Sequence, residues 1–115
     1  MAKDSRKYLE HIVETADKIK QFSGGSGEEF LKQGIVYYAI IRCLQNMAES
    51  ASRLDESIKE RHSKIEWKKI KAFRNILVHD YIDEIDPKEV WAIVENNIPQ
   101  LVEIAKRELE NDTNT

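Results

Sequence analysis

Between residues 73 and 81 the chain reads Phe73-Arg74-Asn75-Ile76-Leu77-Val78-His79-Asp80-Tyr81. A permanent cation, an amide, an imidazole and a phenol are thus gathered in one short segment. Together they suit RNA cleavage without a metal. A neutral imidazole can take the proton from a ribose 2′-OH or protonate the departing 5′-oxygen. A guanidinium can brace the phosphate through paired hydrogen bonds as charge builds on its oxygens. The ribose supplies the nucleophile, so neither Ser nor Cys is needed and DNA would not be cut. On a helix Asn75 and His79 are four apart and share a face. Arg74 precedes His79 by five residues, so their directions differ by about 140°. They converge only where the helix unwinds near His79 or where a second subunit completes the site. A structural alternative stands beside this one. Arg74 could pair with Asp83 or Glu84, His79 could sit at a helix C-terminus where the dipole favours it, and Tyr81 could fill the core.

The elements that must position these groups read as helices. The first segment carries Leu9, Ile12, Val13, Ala16 and Ile19 at i, i+3, i+4, i+7 spacing, with Asp4 or Ser5 placed to cap it. It stops at Ser23-Gly24-Gly25-Ser26-Gly27. A single helical turn over Glu28-Glu29-Phe30-Leu31 follows, with Ser26 as its cap. The longest helix is expected from Gly34 to Ile58. Its core stripe is Ile35, Ala39, Cys43, Met47, Ala51, Leu54 and Ile58, widened by Val36, Ile40 and Leu44. Trp67, Ile70, Phe73 and Leu77 mark a helix from Glu66 to His79. The last helix opens on Asp86-Pro87-Lys88-Glu89, with Asp86 as cap and Pro87 in the first turn. Its stripe runs from Val90 to Leu109 in one phase, so Pro99 is expected to bend this helix and not to end it. The expected fold is all-α: an antiparallel bundle of four main helices plus a short helical turn. It forms one domain over residues 1–110, with a frayed polar tail at 111–115.

Composition agrees with this and excludes other classes. The chain has 115 residues, 41% hydrophobic and 34% charged, which is too apolar for disorder and too charged for a membrane protein. Four Gly and two Pro are too few for a turn-rich β fold. A single Cys rules out an internal disulfide framework, and Cys43 reads as a buried thiol. No apolar run reaches membrane-span length and the N-terminus lacks a signal-peptide core, so a cytoplasmic protein is expected. Net charge is −3, but unevenly spread: residues 59–79 carry a local +5 and residues 80–110 a local −6. Such asymmetry marks either an anion-binding face or two solvated helix faces.

Outside the segment 73–81, Arg42, Asn46, Glu49 and Arg53 form one helical stripe. Arg42 and Glu49 either line a cleft and hold Arg74 or His79, or belong to a solvated face with a Glu49–Arg53 pair. Lys64, Lys68 and Lys71 share a face leading toward Arg74, which guides RNA phosphates or simply keeps the surface soluble. Trp67 and Trp91 fall on core stripes. Tyr37 and Tyr38 flank the core and could reach a dimer contact. His11, His62 and His79 lack metal-ligand spacing, so no metal site is expected.

The pattern Arg74-Asn75-x-x-x-His79-x-Tyr81 resembles the signature R-N-x-x-x-H-x-Y of the HepT branch of the HEPN superfamily. Arg42 through Ala51 is similar to that branch's R-x-L-x-x-I-G-E-A segment, and Ile65-Glu66-Trp67-Lys68-Lys69-Ile70 to its I-P-W-x-x-I entry. Tyr8 through Ile12, Asp86 through Trp91 and Ile98-Pro99 resemble its opening and final helices. Ala48, Glu66 and Asp80 stand where the branch usually has Gly, Pro and Gly. The resemblance implies a homodimer with the HEPN fold, whose two signature segments face each other across a two-fold axis. It implies a ribonuclease toxin of a type VII-like toxin–antitoxin pair, with Arg74 and His79 catalytic and Asn75, Arg42 and Glu49 supporting. It further implies a minimal nucleotidyltransferase antitoxin of the MntA type that uses ATP and magnesium to attach AMP to Tyr81; the chain itself would need no cofactor. The alternative function is a non-catalytic nucleotide- or RNA-binding module that serves as partner of a nucleotidyltransferase.

Overall fold

In the computed structural model, residues 3–79 and 84–113 are described, and among them every regular element is a helix. The first, α1 (Lys3–Ser23), buries Leu9, Ile12 and Ile19. It begins before its expected caps. Ser5 is instead fully buried one turn in, and its Oγ accepts the backbone N–H of Asp55 at 3.1 Å. The helix ends where Gly24 takes φ +68° and its N–H closes on the Lys20 carbonyl at 3.0 Å, a left-handed C-terminal turn that suits Gly. The short α2 (Glu28–Leu31) follows, with Gly27 rather than Ser26 at its N-cap. Gly27 is required there because a Cβ would lie 2.6 Å from Nε1 of Trp91. Phe30 of α2 is a plug, with its ring 4.9 Å from Tyr37 and 5.5 Å from Trp91.

The central helix α3 (Ile35–Ser52) is buried on a broad face from Tyr37 to Ala51, as the wide stripe predicts. Cys43 is buried within it, and that burial pushes its thiol up. Two expectations fail here. Ile35 is 90% exposed and not part of the core. The helix also stops at Ser52, six residues short of Ile58. Arg53 and Leu54 close back three residues onto Ser50 and Ala51, and Asp55 turns extended (φ −57°, ψ 144°) to start α4 (Glu56–Arg61). Leu54 and Ile58 remain buried, so the break keeps the phase of the stripe.

Next, α5 (Trp67–Val78) carries the signature segment, with His79 as its C-cap. The expected last helix is two: α6 (Pro87–Asn96) and α7 (Ile98–Thr113), separated at Asn97. Asp86 caps α6 as expected, its Oδ1 accepting the Lys88 N–H at 2.9 Å. Pro99 has no N–H to give to the turn before it, so the ladder opens and α6 and α7 become separate elements packed on each other. The α7 helix continues through Thr113, into the segment expected to fray, and Asp112 binds Arg6 at 2.7 Å.

Cross-helix bonds give the directions. Ser5 meets Asp55, Arg6 meets Asp112, and Gln45 meets Leu77. Thus α1 runs antiparallel to both α3 and α7, and α3 antiparallel to α5. The apolar core lies where α1 and α3 face each other, closed by α2 and α6. Lying on the α3 side, α5 offers its outer face for chemistry.

Candidate active site

The position of α5 is fixed at both ends. At its start, Trp67 Nε1 donates to the carbonyls of Lys59 and His62 at 3.1 and 3.2 Å. At its end, Leu77 is buried and its carbonyl accepts from Gln45 Nε2 at 2.7 Å. That bond satisfies one of the carbonyls a helix C-terminus leaves open. Gln45 also accepts from Arg42 Nη1 at 3.3 Å, so Arg42 supports the end of α5 through Gln45.

Within this frame Arg74 is half-buried. Its Nε lies 2.7 Å from Glu49 Oε2, and Nε of Arg53 lies 2.7 Å from Glu49 Oε1. One carboxylate on α3 therefore holds two guanidinium groups, each by its inner nitrogen. The Nη fork of a guanidinium matches phosphate geometry. The same carboxylate thus makes the contact posed for a cleft, to Arg74, and the one posed for a surface pair, to Arg53. Among the described residues Arg74 takes Glu49 as its partner. Hydrogen bonds to Glu49 and to Tyr8 hold the Arg53 guanidinium above its usual range.

His79 and Asn75 are exposed. The His79 N–H still donates to the Asn75 carbonyl at 3.1 Å, so α5 stays wound up to His79. Arg74 and His79 therefore leave the helix about 140° apart. The structure brings Arg74 to Glu49 and Arg53, ties Arg42 to the end of α5 through Gln45, and leaves His79 pointing elsewhere. Asp80, Tyr81 and Asp83 lie outside the described residues. Among the described residues, no three His, Cys, Asp or Glu side chains are grouped to hold a metal ion, and no helix is long and apolar enough to cross a membrane.

Spacing already pairs Arg53 with Glu49 along one helix. It does not single out Gln45, whose bond to the Leu77 carbonyl crosses between helices, or Lys59, whose carbonyl receives Trp67 Nε1. A second polar cluster lies away from this site. Glu108 on α7 is only 6% exposed; it takes two bonds from Arg61 (3.0 and 2.9 Å) and lies 2.8 Å from His62 Nε2. The Arg61 bonds, followed by the His62 contact, hold its carboxyl below the usual range despite burial.

The family described as Ribonuclease HepT-like matches residues 12–108. A candidate RNase of Caldanaerobacter subterraneus subsp. tengcongensis is 32% identical to this chain, over 96% of this chain and 98% of its own length. A candidate RNase of Methanocaldococcus jannaschii is 29% identical, over 94% of this chain and 95% of its own length. A protein of Thermococcus cleftensis bearing the name probable ribonuclease HepT is 29% identical, over 88% of this chain and 92% of its own length. No solved structure matches.

Proposed function

The chain belongs to the HepT-like ribonuclease family, and on that basis we propose that it is the toxin of a toxin–antitoxin pair, a metal-independent endoribonuclease of the cytoplasm. The observation that carries this is the Glu49–Arg74 bond. It sets a guanidinium in the wall of a groove and holds it there through a carboxylate. In the reaction, the ribose 2′-OH loses its proton to His79 and attacks phosphorus. Arg74 neutralises the charge that grows on the non-bridging oxygens. The bond to the 5′-oxygen breaks and that oxygen takes up a proton from imidazolium. The products are a 2′,3′-cyclic phosphate and a 5′-hydroxyl.

The two groups diverge on one α5, so the active unit is a homodimer in which one subunit's Arg74 and the partner's imidazole serve the same phosphate. Exposed apolar side chains support a second copy. Ile35 is 90%, Tyr38 66% and Val78 48% exposed. Ile35 and Tyr38 share a face of α3 with Arg42, and Val78 adjoins the Leu77 carbonyl that Gln45 holds. Control comes from a minimal nucleotidyltransferase partner. The Tyr81 phenol oxygen attacks the α-phosphorus of ATP, pyrophosphate leaves with magnesium, and the phenolic proton is released. The new phosphodiester lies two residues from His79 and repels incoming RNA.

The test is cleavage of RNA by the pure protein in EDTA. Wild type is expected to give 2′,3′-cyclic or 3′-phosphate ends, and Arg74→Ala and His79→Ala to give none while keeping helical content. RNA binding without any cleavage by wild type would make the chain a non-catalytic module instead.

A further inference from the structure

A cleft of about 1020 Å³ runs between the α3–α4 turn and the first half of α5, beginning at Arg74 and Glu49. Its walls carry six cations against three carboxylates, a net +3 in a chain whose total is −3. The carboxylates are already engaged. Glu49 is shared by Arg53 and Arg74, Glu66 holds Lys69 at 2.9 Å, and Glu56 lies 3.8 Å from Lys59. Lys68 and Lys71 are exposed and have no carboxylate partner among the described residues. Lys59 is fixed in place, with Nζ donating to the Ser52 carbonyl at 3.0 Å. Trp67 stands in the same wall, its indole oriented by the two carbonyls it binds.

We propose that this cleft seats a single RNA strand on one side of the scissile linkage, with Lys68, Lys71, Arg53 and Lys59 gripping the phosphates that precede or follow the one at Arg74. The proposal rests on the ribonuclease reading of Arg74 and adds to it the path of the substrate. From Arg74 to Lys68 the rise along α5 is about 9 Å, so the cations are strung out along the groove and suit successive phosphates, not one. The cleft is lined from one side by the end of α3 and the start of α4 and from the other by α5, which packs directly on α3. Aromatic rings beside cations are a common means of holding single strands regardless of sequence. Lys64, expected from spacing to join Lys68 and Lys71, lines a different, largely apolar pocket with Phe73 and Leu101 and is not part of this track.

The probe is a short 2′-O-methyl RNA, which lacks the attacking hydroxyl and so binds without being cut. Its affinity is measured against salt concentration. For a single strand each phosphate contact contributes about 0.7 to the slope of log affinity on log salt. The double variant K68Q/K71Q is expected to lose about 1.4 from that slope, and K20Q/K106Q, outside the cleft, to lose nothing. An unchanged slope in K68Q/K71Q, while wild type still cuts unmodified RNA, overturns the cleft and leaves the ribonuclease reading intact. A lowered slope with no cleavage by wild type upholds the cleft and removes that reading. A poly-glutamate peptide that displaces the RNA as well as oligouridylate of equal charge overturns the assignment to nucleic acid.

Discussion

Glu49 holds two guanidinium groups with a single carboxylate, and that arrangement governs what Arg74 can do. Without it, Arg74 is a long side chain on an exposed helix face and spends its time in many rotamers. A hydrogen bond to a charged group is worth about 1.5–3 kcal/mol, so Glu49→Gln, which keeps shape and loses charge, should lower kcat by about ten- to a hundredfold. Far-ultraviolet circular dichroism should show an unchanged helix content, and a variant with wild-type kcat would remove Glu49 from the site. His79→Ala should cost more, up to about ten-thousandfold for a lost acid–base group, which leaves no product visible in the same cleavage assay. Arg74, Asn75 and His79 could be picked out from residue type and spacing alone. The Glu49–Arg74 bond could be posed only as one of two alternatives. The Gln45–Leu77 bond joins residues 32 apart and depends on the antiparallel pairing of two helices. Nothing in the local pattern announces it.

At the scale of elements, periodicity located every long helix and misjudged where two of them break. Leu54 and Ile58 continue the α3 stripe in phase, so the pattern carries no mark of the break at Arg53. The mark lies in α1, where the buried Ser5 hydroxyl takes the Asp55 N–H. Pro99 was legible as a disturbance, but bending and separation differ only in how the freed carbonyl and Asn97 settle. Two predictions belong here. Gly27→Ala should destabilise the fold by about 1–3 kcal/mol through overpacking against Trp91, seen as a lower midpoint in chemical denaturation. An unshifted midpoint would mean the indole moves aside freely. Glu108 ties α7 to α4, and its carboxyl titrates lower in the folded chain than in the unfolded one. The stability it confers is therefore complete above the unfolded carboxyl range, near about pH 4.3, and is lost as pH falls through the folded value. Glu108→Gln should be less stable than wild type at pH 7 by about 1–3 kcal/mol, and the gap should close in acid. A gap that stays constant down to pH 3 would show that the carboxylate charge contributes nothing.

At the scale of the whole molecule, one protomer is an antiparallel helical bundle with its reactive groups turned away from each other. The all-α fold was legible from composition and period. The homodimer is expected only from the family resemblance and stands as the proposal made above. Ile35, which sits on the expected core stripe and is nonetheless 90% exposed, is the plainest observation in its support. Ile35→Glu with Tyr38→Glu should give a folded monomer by analytical ultracentrifugation, and RNA cleavage should disappear with the dimer. A monomer with full activity would mean that one chain suffices. The sharpest measurement mixes two dead proteins. Arg74→Ala and His79→Ala, each inactive alone, are allowed to exchange subunits. With the guanidinium and imidazole drawn from different chains, a mixed dimer carries one intact site of two, and random exchange should restore about a quarter of wild-type activity. If mixing restores none although mass spectrometry shows that mixed dimers have formed, the shared site is refuted.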